Sequence, residues 1–534
     1  MKTKKLFLAV LIVLLTGGII FAAGGGQQTR PADGHVQISA TYAMGAYDAD
    51  PATMVTFDRM AQETGVRVNW ILVPEVNWNE RKNIMVNSGD VPDVFYRGGF
   101  SAVEIDRWGR QGVFLDLTNE IPRYMPNLSR IYQTDPTLRA LSINYEDNKI
   151  YAIRGHINRF TNNLVGVKYI YKPWLDKLGI PFPKTFLEFE NMLRRFKNED
   201  PNGNGIADEF PFVFANGWSD NSSIQQFFAM FGYGYNGIRP NGGLFIENFE
   251  RNGGRRAVFV PGTPNFRDAI IWLHRLFSEG LLAEEDYTGD RALFSAKMYA
   301  EPVRAGSFSA WYKDASYTTA DRYDDYIEIV PPLIGPNGHQ IHLTGSRHLG
   351  TQGTILVTMR GRNRLPDILR WVDNHFDRVR SFELFYGAVG VGLQQGADGM
   401  FRYIPPPAGT TPNQWIYGNS PHTGVIYIPR DAWGRDIEVF QQDVFRYGWW
   451  DKITPFLTQA QGFQMFPIAE ETAFIQAEGL EINTFVKTTQ ARWLMQGGIQ
   501  QEWDSFQSRL RTMGVERYTR IMQNQLDRFD SLIR

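Results

Sequence analysis

Val36-Gln-Ile38-Ser-Ala40 opens the stretch that decides the fold, and Val94-Phe95-Tyr96 closes it. Val36, Ile38 and Ala40 alternate with period two, as a strand does. Met54, Phe57 and Ala61 lie on one face of a helix expected over 51–64, which Gly65 ends. Val66, Val68, Trp70 and Leu72 alternate again. A second helix is expected from about Trp78 to Asn87, before the short apolar run around Val94. Strand–helix–strand–helix–strand is the signature of a wound α/β unit. Ligands of such sheets sit beyond the carboxyl ends of the strands. That places Tyr42–Tyr47, Pro74–Trp78 and Tyr96–Gly99 near a cleft.

Outward from this unit, the chain is too long for one core. Its 534 residues imply two or more lobes. The net charge of −2 comes from interspersed acids and bases, which gives no electrostatic case for nucleic acid or an anionic membrane. There are no cysteines, so disulfides, thiolate metal sites, a cysteine nucleophile and a lipid-modified cysteine are excluded. Residues 1–23 read as an export signal: Lys2, Lys4 and Lys5, an apolar run from Leu6 to Ile20, then Phe21-Ala22-Ala23. Residues 24–34 read as a flexible leader. The expected product is a free periplasmic protein.

The second segment of consequence is Asp200-Pro-Asn202-Gly-Asn204-Gly205-Ile206-Ala-Asp208-Glu209. Asp200, Asn202, Asn204 and Asp208 occupy positions 1, 3, 5 and 9 of a loop, with Gly205 at position 6. Ca²⁺ takes six to eight oxygens from a sharply turned backbone, and this spacing supplies them, with Ile206 contributing its carbonyl. Position 12 is Pro211 where an EF-hand has glutamate, and Glu209 is the nearby substitute. The alternative is an Asn/Gly/Asp turn without metal. Four oxygen side chains and a glycine in register favour the metal, as a structural clip. Just upstream, Thr185 and Glu188 form a capping-box pattern. Phe189, Met192, Leu193 and Phe196 then lie on one helical face that runs into the loop.

The run from Ile170 to Phe212 resembles the bacterial extracellular solute-binding proteins of family 1, the sugar-capturing subunits of ABC importers. Trp174-Leu-Asp-Lys-Leu-Gly-Ile180, Pro183-Lys-Thr185 and the 200–209 loop carry the resemblance. Pro92-Asp93-Val94, Leu115-Asp-Leu-Thr118, Tyr386-Gly387 and the helical tail fit in order. It is similar to the calcium-containing branch of alginate-oligosaccharide binders and LplA-type lipoproteins. The resemblance implies an α/β, two-lobe periplasmic-binding-protein fold with a hinged cleft and a helical C-terminal segment. It implies a structural Ca²⁺ held by Asp200, Asn202, Asn204, Ile206, Asp208 and Glu209. It implies an oligosaccharide ligand, an ABC-type membrane permease as partner, a monomer, and no enzymatic step. Many relatives carry an acylated cysteine that this chain lacks. The expected lobes are 35–154 with 335–395, and 155–334 with 396–534, the latter holding the calcium loop and helical tail. The tract 386–424 is expected as ordered loop.

Sugar binders stack aromatic rings on the apolar faces of the ligand. The loop aromatics are Tyr47, Trp78, Tyr96, Trp218, Trp311, Tyr312, Tyr386 and Trp415. Each competes with a core role. Trp70 and Trp503 fit strand and helix periodicity and are assigned to cores. Arg97 and Arg347 are candidates for a uronate carboxylate, against a plain role as exposed arginine or structural ion pair. The competing function is an exported hydrolase or lyase, which needs two carboxylates roughly 5–10 Å apart across the scissile bond. His339, His342 and His348 lack the close spacing of a zinc site. Gly390-Val-Gly392 to Gly396 misses the dinucleotide fingerprint by one residue.

Overall fold

The computed structural model describes residues 34–45, 47–157, 166–216, 224–233, 245–249, 255–310, 318–342, 354–422, 425–439, 449–457 and 468–533. The export signal and most of the leader therefore lie outside the described residues. Strand β1 (Val36–Met44) runs parallel to β2 (Val66–Pro74), in register from Val36↔Val66 to Met44↔Pro74. It also pairs in parallel with β3 (Val94–Tyr96) through Ala40↔Val94. The strand Ile355–Val357 closes the sheet antiparallel to β3. Between the parallel strands lie α1 (Val55–Thr64) and α2 (Trp78–Ser88), as the sequence pattern predicts. Each stops at a left-handed glycine, Gly65 at φ 69° and Gly89 at φ 76°, a conformation that costs other residues a Cβ clash.

The second sheet centres on Val167–Tyr171, flanked antiparallel by Ser307–Ala310 and Tyr326–Glu328. The helix Phe186–Asn198 begins with the expected capping box: the Thr185 hydroxyl accepts from Glu188 N, and the Glu188 carboxylate from Thr185 N. Phe189, Met192, Leu193 and Phe196 are all buried beneath it. Helices Pro264–Ser278, Leu480–Gln496 and Ile499–Thr512 pack together on this side.

Two large apolar clusters follow the two sheets. One joins Ile38–Ile153 to Ile355–Ile437. The other joins Ile170–Leu333 to Phe474–Met522. The tract 386–424 is more structured than expected. It contains a hairpin, Leu393–Gln395 with Phe401–Tyr403, and the helix Pro412–Asn419. Its Gly- and Pro-rich composition masks these short elements. Phe401, Ile416, Ile428, Trp433 and Ile437 pack in the first cluster, beyond the boundary at 396 that the sequence reading drew. The final helix, Val515–Ile533, packs on the strand Arg255–Phe259 and also on the helix Pro136–Ser142 of the first unit. No helix among the described residues is long and apolar enough to cross a membrane.

Candidate ligand cleft and metal loop

The loop after Phe186–Asn198 is turned by three residues of positive φ: Asp200 (44°), Gly203 (77°) and Gly205 (75°). The Asp200 carboxylate accepts three backbone N–H bonds, from Gly203 (2.8 Å), Asn204 (3.1 Å) and Gly205 (3.0 Å). Asn202 Oδ1 accepts from Asn204 N at 2.9 Å, and Asn204 Oδ1 from Ile206 N at 2.8 Å. Both amide groups donate to Asp208 Oδ1, at 3.1 and 3.2 Å. Arg304 Nε donates to the Asp208 carbonyl at 2.9 Å and lies 3.2 Å from its Oδ2. Lys177 Nζ donates to Pro201 O at 2.8 Å. Ile206 is 60% exposed, as a residue contributing only its carbonyl would be.

Glu209 is the anomaly. Both carboxylate oxygens are buried and neither has a hydrogen-bond partner, although the surrounding loop is largely open. Burial, with Asp200 and Asp208 nearby, pushes its pKa above the ordinary value. An unpartnered buried carboxylate is a costly arrangement without a cation to meet it. The donor set of three carboxylates, two side-chain amides and the Ile206 carbonyl, which also accepts from Asp208 N at 2.9 Å, is what a hard cation takes. Among the described residues, no three His, Cys, Asp or Glu side chains already meet at metal-binding spacing. The amide ends facing Asp208 are nitrogens, and a half-turn of either amide exchanges nitrogen for oxygen.

A second group sits at the carboxyl ends of β1 and β3, where the sheet topology expects a ligand. Arg97, directly after β3, has φ 55°, a sparsely populated conformation for a non-glycine residue. Its guanidinium donates to Asp48 Oδ2 at 2.8 Å and lies 4.9 Å from the centroid of the Tyr42 ring. The same Asp48 oxygen accepts from Gly45 N at 2.7 Å. The Asp48 side chain is 1% exposed and that of Arg97 17%, yet Asp48 Oδ1 has no partner. A Cβ on Gly45 would stand 3.3 Å from Glu75 Oε2 and 3.4 Å from Asp48 Oδ2, so the glycine lets these carboxylates close in. Tyr47, next to Asp48 in the chain, is 50% exposed. The helix Pro412–Asn419 completes the group, with Ala49 N donating to Tyr417 O at 3.3 Å. Burial pushes the Tyr42 phenol up to about 12, so it stays neutral.

The aromatic candidates divide. Trp78 is buried: its Nε1–H donates to Gly98 O at 2.8 Å and its ring packs on Phe95. Tyr96 is buried at the centre of a ring cluster with Tyr42, Phe57, Trp70, Trp371 and His375. Tyr386 is buried against Phe385 and Tyr403. These three are core residues and not stacking platforms, since an enclosed ring has no face for a sugar. Trp415 is half-buried, its Nε1–H donating to Ile404 O at 3.1 Å, and stands on the same helix as Tyr417. Trp218, Trp311, Tyr312, Arg347 and His348 lie outside the described residues. Gly392 serves a close backbone approach: a Cβ there would stand 1.9 Å from Tyr386 O. Asp48 is not among the residues the sequence marks as candidates. Its signal was its position, just beyond a strand that leads into the expected cleft.

The bacterial extracellular solute-binding protein family profile matches residues 48–357, more than half of the chain. The chain belongs to that family. It is 26% identical to the fructooligosaccharide ABC transporter substrate-binding protein FusA of Streptococcus pneumoniae over 499 residues, covering 90% of this chain and 88% of FusA. The solved structure of FusA in complex with kestose aligns at TM-score 0.78 and 24% identity, covering 93% of this chain and 99% of FusA. FusA is also solved as an EF-hand mutant. The alginate-binding protein AlgQ2, solved without calcium ion, aligns at TM-score 0.66 and 18% identity over 93% and 98% of the two chains. The fold is therefore the two-lobe α/β fold of solute-binding proteins, with a helical C-terminal segment.

Proposed function

We propose that this chain is the exported receptor subunit of an ABC importer and that it captures an oligosaccharide. The carrying observation is the match to FusA along nearly the full length of both chains, together with the polar group at the strand ends. One lobe comprises 35–157 with 354–437 and the other 166–334 with 468–533, in keeping with the two apolar clusters. The ligand enters the cleft between them as a monomeric receptor closes. Binding energy comes from contacts that exist only in the closed state, so the ligand shifts the population toward it. The closed receptor then delivers intact sugar to a membrane permease.

The loop at 200–209 fits a structural Ca²⁺, on the strength of the orphaned Glu209 carboxylate. Asp200, Asn202, Asn204, the Ile206 carbonyl, Asp208 and Glu209 would hold it. The ion would supply a fixed charge that pins the end of Phe186–Asn198 to the segment entering the second sheet.

The test is a thermal-melt screen of the mature protein against a glycan panel, with product analysis of each hit. A ligand that binds only the folded state raises the melting temperature. A sugar that raises it and is recovered intact supports the receptor. Cleaved product would replace it with a hydrolase or lyase.

A further inference from the structure

The group at the strand ends says what charge the ligand carries. A uronate held at this group would need a free cation for its carboxylate, and among the described residues the cation of the group is Arg97. It is not free. Its guanidinium is bound to Asp48 Oδ2, and that oxygen is fixed a second time by Gly45 N. Glu75 Oε2 approaches the same glycine. The three charged side chains, Asp48, Glu75 and Arg97, therefore leave one net negative charge at the group. A sugar carboxylate entering here would meet net repulsion and would have to compete with Asp48 for the guanidinium.

The same arrangement suits hydroxyl groups. Asp48 Oδ1 is buried with no donor, so it awaits one. Arg97 keeps donors beyond the N–H spent on Asp48. A charged acceptor and a charged donor side by side match two adjacent sugar hydroxyls, one donating and one accepting. Tyr47, the neighbour of Asp48 in the chain, is exposed and has a ring free for the apolar face of a sugar. The left-handed backbone at Arg97 is a cost the fold carries to hold this side chain in place.

Resting on the receptor reading above, we infer that Asp48 and Arg97 form a subsite for vicinal hydroxyls of an uncharged sugar, and that this subsite rejects a uronate. Discrimination follows as in other buried polar sites, where the wrong ligand leaves a buried group unpaired or opposed.

The experiment is isothermal titration of the mature full chain with trisaccharides: kestose, maltotriose and galactotriose as neutral probes, trigalacturonate as the acidic one. The expected result is binding of at least one neutral probe and at least 100-fold weaker binding of trigalacturonate. Tyr47→Ala, at an exposed position that leaves the fold intact, should weaken the neutral probe about 10-fold. The double variant Asp48→Asn with Glu75→Gln changes the local charge from −1 to +1. It should lose the neutral probe at least 100-fold and narrow the gap to trigalacturonate. Trigalacturonate bound as tightly as the neutral probes overturns the inference and leaves the receptor standing. Silence with all four probes overturns both. A neutral probe whose affinity survives all these substitutions places the sugar elsewhere and also overturns it.

Discussion

Replacing Glu209 by glutamine should change stability in opposite directions with and without calcium. In chelator, the wild-type loop holds a buried carboxylate with no partner, close to Asp200 and Asp208. An unsatisfied buried polar group costs about 1–3 kcal/mol, and more when charged. Glutamine keeps the shape and removes the charge, so about 1 kcal/mol should return. A folding unit of roughly 150–250 residues gains about 2–4 °C per kcal/mol. In saturating calcium the sign reverses, because the carboxylate is then a ligand. If its loss weakens the metal 100-fold, the stabilisation by mass action falls by about 2.7 kcal/mol, or about 5–11 °C. The pH dependence follows the same logic. Glu209 has a folded-state pKa above its ordinary 4.5, so without metal the folded state binds the extra proton. Wild-type stability in chelator should then fall as pH rises from 4.5 through the raised value, and the glutamine variant should lack that fall. Differential scanning calorimetry of metal-stripped protein, with and without calcium, measures all of this. The same sign of shift in both conditions would refute the reasoning, since the carboxylate would then be neither strained alone nor a ligand.

Other substitutions test the packing assignments. Tyr96→Ala should destabilise by about 3–5 kcal/mol in urea melts, as a large ring leaves a closed core, while Tyr47→Ala stays within about 0.5 kcal/mol. Gly306→Ala should cost about 1–3 kcal/mol or more, because its Cβ would stand 2.5 Å from the Phe196 ring and 2.7 Å from Trp174. His375 is held neutral by burial, its pKa pushed down to about 3. The unfolded state therefore binds the extra proton below pH 6.5, and stability should fall by up to about 1.4 kcal/mol per pH unit between 6.5 and 3. His375→Asn should show a shallower acid slope in the same melts.

The first-unit sheet is legible because β1 and the start of β2 alternate, α1 carries a period of 3.6, and both helices end at glycines of positive φ; the alternation of β2 fails at Leu72, which is exposed while Val73 is buried. The capping box at Thr185 and the buried face of its helix were legible for the same reason, since both are local. Trp78, Tyr96 and Tyr386 were misplaced because burial is not local. Tyr96 stands at a strand end, where an aromatic is as good a ligand platform as a core residue. Its cover comes from Trp371 and His375, far along the chain. That the segment 401–437 packs with the first cluster is not legible in the sequence, because its elements are two to eight residues long and show no period. The sequence leaves Arg97 open between a carboxylate binder and one half of an ion pair. Only its partner, Asp48, decides between them.

The metal loop and the strand-end group sit on different units, and this separates their effects. Past the loop, Phe210 bridges to Ala305, Phe212 to Leu282 and Val213 to Phe308, all within the second unit. Arg304 ties Asp208 to the same region and lies 4.7 Å from the Phe210 ring centroid; Lys297 covers that ring at 4.6 Å. Lys297 is in turn held by Asp286 and Glu285. A cation at 200–209 would therefore stiffen this network and raise the cost of unfolding the second lobe. Asp48, Arg97 and Tyr47 hang from β1 and β3 of the first unit, and among the described residues no hydrogen bond or ion pair joins them to the loop. Removing calcium should accordingly lower the melting temperature while leaving sugar affinity at a temperature well below the melt within about 3-fold, roughly 0.7 kcal/mol. Titration of one neutral sugar before and after chelation reads both quantities. A loss of affinity beyond 10-fold with the fold intact would mean that the loop sets the position of groups in the cleft, and that the metal is part of the binding site.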